Sequence, residues 1–268
     1  LMEKLSPICR NCGVENRGAP DPEPGSCEIC NDDRQYLDPN GQKWIYREAL
    51  TDFTIQATEL EPDAYALKTE PVIGIGHTSY LLNIGDGWLL WDPLPITFRN
   101  QTPTPRIQQA LHNVSIAASH PHMFGAQSHW AVEYNGTVLV NELDLKWSNE
   151  AISRKVVWRK EVALTPRAKL VELGGHFPGS SILVWKNSSG GTWLFSSDTA
   201  QVRPNGHFAF MWSYPNLLPL GRIEVDRMVD RFPPTNASKA FDNFGRSVTG
   251  DIDNIFRLSA QNHNSHLV

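Results

Sequence analysis

Residues 116–129, Ile-Ala-Ala-Ser-His-Pro-His-Met-Phe-Gly-Ala-Gln-Ser-His, decide how this chain is predicted to fold. An apolar run typical of a buried strand leads here into His120 and His122. In extended backbone, side chains two positions apart point the same way, so the two imidazoles can bind one metal ion. His129 follows a few positions later and is a further candidate for the same site, as a ligand or as a catalytic group.

Two more polar side chains stand where predicted strands end. His176 lies in the glycine-rich stretch 174–181, Gly-Gly-His-Phe-Pro-Gly-Ser-Ser, and Asp198 follows a short apolar run. Either residue alone would more often be structural. Together with the two preceding imidazoles they make a set of metal ligands, in which Asp198 is the fourth ligand or the base that acts on bound water.

All four cysteines fall near the start of the chain, as the pairs Cys9-x2-Cys12 and Cys27-x2-Cys30. Two such pairs at this separation are typical of a tetrahedral zinc site. Two disulfides are the alternative, which the lack of other signs of an oxidising compartment disfavours. We therefore predict a zinc-binding N-terminal module over residues 1–50, with a structural or docking role, and a larger domain over residues 51–268.

From about residue 53 onward, short apolar runs alternate with turns. Residues 80–84 and 88–91 flank a Gly-Asp-Gly turn and predict a hairpin. Further strands are predicted at 114–118, 137–140, 169–173, 181–185 and 192–195, and helices at 106–112, 221–231 and 251–260. Residues 42–50 predict a short helix or strand that leads into the larger domain. Neither a repeat nor a GxGxxG loop occurs, so the pattern favours a mixed α/β fold over a Rossmann fold.

The order of these features resembles the metallo-β-lactamase superfamily. In that family a hairpin ends in an Asp, here Asp92; a strand then runs into His-x-His-x-Asp-His, followed by Gly-His-x-Pro-Gly-Ser and by a strand that ends in Asp. The resemblance covers about residues 70–245 and extends to a subgroup with an N-terminal CxxC pair and a Ser-His-Pro-His motif. It implies an αββα sandwich, with the metal at the edges of the sheets and hydrolysis by a metal-bound hydroxide.

The chain departs from the family motif at the ligands of a second metal. Phe124 and Gly125 stand where the motif has Asp and His. The last His of the family, expected near residues 235–250, has no counterpart. We therefore predict a single catalytic metal ion held by the three imidazoles and Asp198, with zinc as the first expectation and iron or manganese as alternatives.

A metal ion held by three imidazoles favours hydrolysis, because it acidifies bound water and polarises a carbonyl. The predicted function is a metal-dependent hydrolase of a small ester, lactone, lactam or thioester. Six aromatic residues near the motifs indicate a substrate with an aromatic or apolar body, unless they are ordinary core residues; they are Phe124, Phe177, Phe208, Phe210, Trp212 and Tyr214. His77 and His207 are further candidates to line the pocket.

Composition argues against several other classes of protein. A net charge of −5 and a pI near 6.0 provide no basic field for nucleic acid, which disfavours a nucleic-acid-processing enzyme with the cysteine module as its grip. Long apolar runs and a signal-peptide pattern are both lacking, so we expect a cytoplasmic protein without a membrane span. The missing second-metal ligands keep another hypothesis open, a non-catalytic binding or regulatory protein on the same scaffold.

Overall fold

The computed structural model describes residues 5–18 and 25–267 of the chain, apart from one side chain, that of Arg47. The outermost residues of the two predicted domains, and residues 19–24 of the first, lie outside the described residues. The first elements are two short antiparallel strands, β1 (Ile8–Cys9) and β2 (Trp44–Ile45). A 3₁₀ turn over Arg47–Asp52 follows, so the stretch 42–50 contains a strand as well as part of a helical turn.

Seven strands form the first large sheet, side by side in the order of the sequence. They are β3 (Thr54–Glu61), β4 (Ala64–Glu70), β5 (Ser79–Asn83), β6 (Trp88–Trp91), β7 (Ser115–Ala117), β8 (Thr137–Asn141) and β9 (Lys155–Trp158). The predicted hairpin is confirmed as β5 and β6. From β6 onward the strands are parallel, and the helices α1 (Pro105–Leu111) and α2 (Gln127–Tyr134) make the first two crossovers. The sequence predicted α1 but not α2.

The remaining strands build a six-stranded sheet in the order β10-β11-β12-β13-β18-β19, and two short hairpins, β14 with β15 and β16 with β17. They are β10 (Glu161–Thr165), β11 (Ala168–Glu172), β12 (Ser181–Lys186), β13 (Thr192–Phe195), β14 (Gln201–Val202), β15 (Phe208–Ala209), β16 (Met211–Ser213), β17 (Leu218–Pro219), β18 (Lys239–Phe241) and β19 (Ser247–Thr249). The helices α3 (Arg222–Arg231) and α4 (Ile252–Ser265) confirm the last two predicted helices. Among the residues that the structure describes, no helix combines the length and apolar character needed to cross a membrane.

The two large sheets pack face to face, and helices cover their outer faces. Tyr80 and Trp91 of the first sheet meet Phe195 and Phe241 of the second in one buried cluster. Trp130 of α2 is buried against the other face of the first sheet, whereas α3 and α4 contact each other over the outer face of the second. The layers therefore run α, β, β, α, and the predicted sandwich is confirmed.

The cysteine-containing segment packs directly on the first sheet. Its residues Ile8 and Val14 are buried in the same apolar cluster as Leu81 of β5. Gly74 lies so close to this segment that an added Cβ would be 2.6 Å from the carbonyl carbon of Cys12. A side chain at Gly74 would therefore push the cysteine-containing segment off the sheet. The apolar residues of this segment are buried by contacts with the rest of the chain.

Candidate metal centres

The four cysteine side chains converge on one point. All four are buried, none forms a disulfide, and their sulfurs lie within 4.8 Å of one another. The Sγ atoms of Cys9 and Cys30 are 3.6 Å apart, and those of Cys12 and Cys27 are 3.7 Å apart. Sulfurs around a tetrahedral zinc ion lie about 3.8 Å apart when each Zn–S bond is about 2.3 Å. The sulfur positions therefore fit a zinc ion.

The electrostatics of the cysteine cluster also favour a cation. Burial raises the pKa of the Cys12 thiol well above its usual value, and hydrogen bonds with the neighbouring cysteines raise it further. Four thiolates crowded into a buried space repel one another unless a positive charge compensates them. A divalent ion supplies that charge, and a donor set made of sulfur alone is typical of structural zinc sites.

The second centre is assembled from strand ends of both large sheets. His120 and His122 follow β7, His176 stands on the loop after β11, and Asp198 lies in the 3₁₀ turn Ser197–Thr199 after β13. Each of the four residues is buried, and their ligand atoms lie within 4.8 Å of one another. The structure thus brings together the four residues that the sequence suggested for a His/Asp site.

The backbone between the first two histidines differs from the predicted extended conformation. His120 is extended, with φ −168° and ψ 171°, but Pro121–Met123 forms a 3₁₀ turn. The ring centroids of His120 and His122 are 5.2 Å apart. The two imidazoles therefore meet because the chain turns back at the strand end, and the alternation of side chains along a strand plays no part.

Glycines hold the loop that carries His176. Gly175 has a φ of +86°, and an added Cβ would lie 2.5 Å from the Sδ of Met228 on α3. Gly179 donates its backbone N–H to Oδ1 of Asp144 at 3.0 Å, and a Cβ there would lie 2.6 Å from the other carboxylate oxygen. A side chain at either position would require the neighbouring side chains to shift, and at Gly175 the positive φ disfavours other residues as well. Close packing thus helps to fix the loop and with it the imidazole.

Hydrogen bonds orient the imidazoles towards a common point. Nδ1 of His176 lies 3.1 Å from the carbonyl oxygen of Met211, which can only accept, so Nδ1 carries the proton and Nε2 presents a lone pair. That Nε2 lies 3.3 Å from Nδ1 of His122. Nε2 of His120 is buried and lacks a hydrogen-bond partner among the described residues, although Oδ2 of Asp198 is 3.5 Å away. These facing donor atoms fit a divalent metal ion, and a set of three nitrogens and one oxygen suits zinc, iron or manganese.

The protonation states agree with metal binding. Burial and the neighbouring histidines lower the pKa of His122 well below its usual value, and the same causes lower the pKa of His176 to about 3. Both rings are therefore neutral near pH 7, which is the form that binds metals. Burial is the largest single effect on the pKa of the Asp198 carboxyl and raises it, but His120, His176 and the amide of Asn243 together hold that pKa below its usual value.

Asn243 is a residue of this site that sequence reasoning missed. It follows β18, inside the stretch where the family's last His was expected. Its amide adds to the effects that lower the pKa of Asp198, its Nδ2 lies 3.6 Å from the Sδ of Met123, and its Oδ1 is buried without a partner among the described residues. A predicted strand over residues 239–241 would have drawn attention to this amide at a strand end.

Asp92 and His77 lie behind the ligands. Oδ1 of Asp92 accepts a hydrogen bond from the backbone N–H of Ser119 at 2.7 Å, and burial raises the pKa of this carboxyl to about 6. Nε2 of His77 lies 3.2 Å and 3.1 Å from the carbonyl oxygens of Asp92 and Pro93. His77 therefore supports the turn after β6, and this candidate for the pocket is not among the residues that line the cavity.

A cavity of about 570 Å³ opens onto the His/Asp centre. Three of the four residues of the centre line it, namely His122, His176 and Asp198. The other lining residues are Asn11, Gln35, Tyr36, Asp38, Gly74, Ile75, Gln201, Tyr214, Pro215 and Phe244. The cysteines do not line it, so the cavity gives a small molecule access to one centre and not to the other.

Two predicted histidines lie elsewhere. His129 is on α2 and turns towards the N-terminal segment, where its Nε2 lies 2.9 Å from the carbonyl oxygen of Ser6 and 3.9 Å from Oε2 of Glu15. The structure thus places it away from the His/Asp group, contrary to its predicted role as a ligand or catalytic residue. Nδ1 of His207 lies 3.4 Å from Oγ of Ser259 on α4, and His207 does not line the cavity either.

Most of the aromatic residues expected around the pocket belong to the core. Tyr214 lines the cavity. Phe177 is fully buried and packs against the imidazoles of His120, His122 and His176, and its ring centroid lies between 4.8 and 5.7 Å from theirs. Phe208 and Phe210 contact Phe256 of α4 in the core of the second sheet. Two other aromatic residues that line the cavity, Tyr36 and Phe244, were not among those predicted.

The two departures from the family motif are built into the packing. Phe124 has no atom that can bind a metal ion, and its ring is buried in the core of the first sheet. Gly125 has a φ of +52°, and an added Cβ would lie 2.0 Å from the carbonyl oxygen of Pro93. No side chain fits at Gly125 without a backbone shift, so a histidine at this position is excluded by the local fold.

Solved structures superpose on most of this chain. The metallo-β-lactamase DIM-1 matches with a TM-score of 0.56 at 11% identity, covering 79% of this chain and 98% of its own. A metallo-β-lactamase from Pontibacter korlensis gives 0.53 at 11%, covering 78% and 100%. The chemotaxis sensor ODP, solved as a peroxy diiron species, gives 0.51 at 18%, covering 77% and 94%. The chain has the metallo-β-lactamase fold.

A relative that matches along most of the chain identifies the family to which the chain belongs. The protein described as "Uncharacterized protein YmaE" of Bacillus subtilis (strain 168) is 32% identical over 259 residues, which cover 94% of this chain and 93% of that protein. The chain belongs to the same family as YmaE. No model of a protein family matches the chain.

Proposed function

We propose that this protein is a metal-dependent hydrolase of a small ester, lactone, lactam or thioester. The observation that carries the proposal is the convergence of His120, His122, His176 and Asp198 next to an open cavity, with Nε2 of His120 facing Oδ2 of Asp198 at 3.5 Å. The cavity of about 570 Å³ has a size typical of small-molecule sites, about 300–1,000 Å³. The substrate is therefore a small molecule.

The three imidazoles and Asp198 would hold the metal ion of this centre. When bound, such an ion polarises a carbonyl and lowers the pKa of water. The residues of the chain supply orientation and a base: the Met211 carbonyl fixes the tautomer of His176, and Gln201 donates to Oδ1 of Asp198 at 3.1 Å. The other oxygen of Asp198, Oδ2, lies 3.5 Å from Nε2 of His120. In this proposal it is either the fourth ligand of the metal ion or the base that would take the proton of the attacking water and pass it to the leaving group.

The cysteine cluster supports a separate proposal, a structural zinc ion. Its sulfur positions fit tetrahedral zinc, and the cavity does not reach it. A closed, all-sulfur site leaves no position for water or substrate. It would therefore stabilise the N-terminal segment without taking part in the reaction.

The test is turnover of a panel of aryl esters, lactones, lactams and thioesters by the purified protein, before and after treatment with a chelator. We expect hydrolysis of at least one class, its loss when metal is removed from the His/Asp centre, and its return on adding zinc, iron or manganese. Turnover that survives complete removal of metal from this centre would contradict the proposal.

A non-catalytic binding or regulatory protein is the second candidate. The observation that favours it is that Phe124 and Gly125 stand where the second-metal ligands of the family motif would be, and that the packing leaves no room for a side chain at Gly125. A solved structure of the same fold is described as a chemotaxis sensor, so the fold also occurs outside hydrolases. A protein that binds metal at the His/Asp centre and hydrolyses no member of the panel would support this candidate.

A further inference from the structure

One side of the cavity comes from the cysteine-containing segment. Gln35, Tyr36 and Asp38 follow the last cysteine by a few residues and line the same cavity as Asp198, His122 and His176. Tyr36 is 53% exposed, so part of its surface is available to a ligand in the cavity. The candidate substrate pocket is therefore built by two parts of the molecule, and each part contains one of the two candidate metal centres.

Asn11 links this wall to the cysteine cluster. Its Nδ2 lies 3.3 Å from the Sγ of Cys30 and donates to the carbonyl oxygen of Tyr36 at 2.8 Å. Its Oδ1 accepts the backbone N–H of Asp38 at 3.1 Å. A single side chain thus holds the backbone on both sides of Leu37 and touches a candidate zinc ligand, so the position of the wall depends on the geometry of the cluster.

The other end of the wall is fixed to the large domain. Ser213 donates its hydroxyl to the carbonyl oxygen of Arg34 at 2.8 Å, and the Arg34 guanidinium lies 4.4 Å from the centre of the Phe177 ring and 4.9 Å from that of Trp212. Phe177 in turn packs against the imidazoles of the site. Segment 34–38 is therefore held between the cysteine cluster and the floor of the His/Asp centre.

Much of the cavity lining is apolar. Ile75, Pro215 and Phe244 line it together with Tyr36, Asp38 adds an acidic group, and no Lys or Arg stands among the lining residues in the described part of the chain. A lining with apolar residues and no basic side chain suits an aryl or alkyl group better than an anionic one. The reacting bond would then lie next to Asp198.

We propose that Tyr36 is a specificity-determining residue that contacts the apolar body of the substrate, and that Asn11 is the positioning residue that ties it to the four-cysteine site. The proposal rests on the proposed function in treating the cavity as a substrate pocket. It extends that function by assigning the N-terminal segment to substrate binding.

The first test compares Tyr36→Ala with wild type, using turnover of 1-naphthyl acetate and equilibrium binding of its product 1-naphthol. Loss of a ring contact predicts a rise of about five-fold in KM and in the Kd of 1-naphthol, with kcat changed less than two-fold. Tyr46→Ala is the matched control, because Tyr46 lies in the same segment and does not line the cavity. An unchanged Kd in Tyr36→Ala, or no binding of 1-naphthol by wild type, would overturn the proposal.

The second test examines the link through Asn11. Asn11→Ala should raise the Kd of 1-naphthol by a few-fold while elemental analysis still finds metal at both centres, and Asn31→Ala, an exposed asparagine of the same segment, should leave Kd unchanged. In the double variant with Tyr36→Ala, Asn11→Ala should have little further effect on Kd. Fully additive effects, or no effect of Asn11→Ala alone, would contradict the positioning role.

Binding and turnover separate this proposal from the proposed function. Binding of 1-naphthol that depends on Tyr36, without turnover of any substrate in the panel, would contradict the hydrolase and leave the wall assignment standing. Turnover of a substrate, together with binding of 1-naphthol that does not depend on Tyr36, would support the hydrolase and contradict the role of Tyr36.

Discussion

The molecule places two buried four-residue clusters of metal-binding groups close to one pocket, and they differ in two respects. The first consists of sulfur atoms alone and does not reach the cavity, whereas the second combines nitrogen and oxygen atoms and lines it. Soft thiolates that fill every coordination position suit a structural ion, and a mixed set beside a cavity suits an ion that a substrate can approach. Access from the cavity and donor type together distinguish the two roles.

The two clusters also differ in how the chain assembles them. The four cysteines come from one short segment, so a local fold brings them together. The residues of the His/Asp centre come from strand ends of both large sheets, and Asp198 is separated from His120 by 78 positions. A substitution in the His/Asp centre should therefore act mainly on turnover. A substitution in the cysteine cluster should act mainly on the stability of the fold.

The largest effect is expected for His122→Ala. Removing one of three imidazoles should empty the His/Asp centre and, under the proposed function, reduce turnover to background, because a metal ion held there would acidify the attacking water. Elemental analysis should find one metal ion fewer per chain, with the cysteine site still filled. His112→Ala, which changes an exposed histidine at the end of α1, is the control and should keep both activity and metal. Unchanged metal content at the centre in His122→Ala would contradict the ligand assignment.

The complementary change, Cys12→Ser, should act mainly on stability. Loss of one thiolate should release the ion of the cysteine site and lower the free energy of unfolding by several kcal/mol, since structural zinc contributes directly to folding. Thermal unfolding and metal content measure the two effects. Titration of the denatured, metal-free wild-type chain without reductant should find four free thiols. Finding none would rule out the zinc site in favour of disulfides.

The sequence predicted the parts of both centres that depend on local pattern. The CxxC spacing and the polar residues at strand ends identified eight residues that the structure brings into two clusters. His129 was misplaced because helix α2, which the sequence analysis did not predict, turns it towards Ser6. Its hydrogen-bonding partner is more than a hundred positions away, and no local pattern reveals such a contact.

The parts that the sequence did not reveal all depend on contacts between distant segments. Asn243 reaches Asp198 through the pairing of β13 with β18, and Tyr36 reaches the cavity only when the N-terminal segment folds against the rest of the chain. Gly125 reads as an ordinary loop glycine until the carbonyl oxygen of Pro93 is found where its side chain would be. Such packing constraints leave no periodic signal in the chain.

A smaller effect is expected for Asp198→Asn, a substitution that distinguishes a role of Asp198 as a base from a role as a metal ligand. The amide keeps the size and part of the hydrogen bonding of the carboxylate and removes its charge and basicity. We expect metal to be retained in part and turnover to fall by about two orders of magnitude, the typical contribution of a positioned general base. Asp86→Asn, in the exposed turn of the β5–β6 hairpin, is the matched control. Near-normal turnover with a full complement of metal would favour the non-catalytic scaffold.

The smallest effect is expected where the N-terminal segment docks on α2. Glu15 is buried there, accepts a hydrogen bond from the backbone N–H of Ser128 at 2.8 Å and also contacts its hydroxyl. Burial raises the pKa of this carboxyl from 4.5 to about 7. The folded state therefore binds the proton more tightly than the unfolded state does. The contribution of the protonated Glu15 carboxyl to stability is complete below about pH 4.5 and is lost as the pH rises through about 7.

From pH 5 to pH 7 this group alone should lower the free energy of unfolding by about 2 kcal/mol, because each unit of pKa difference corresponds to about 1.4 kcal/mol. The amide in Glu15→Gln cannot ionise. Between pH 5 and pH 7 the free energy of unfolding of this variant should therefore fall by about 2 kcal/mol less than that of wild type. Urea unfolding at both pH values, at one fixed zinc concentration, measures this difference, and the pH dependence of metal binding cancels because both proteins share it. Glu48→Gln, at an exposed carboxyl of the same segment, should follow wild type. Parallel pH profiles for wild type and Glu15→Gln would mean that the carboxyl is already ionised in the folded protein, and that the docking of the cysteine segment does not weaken towards neutral pH.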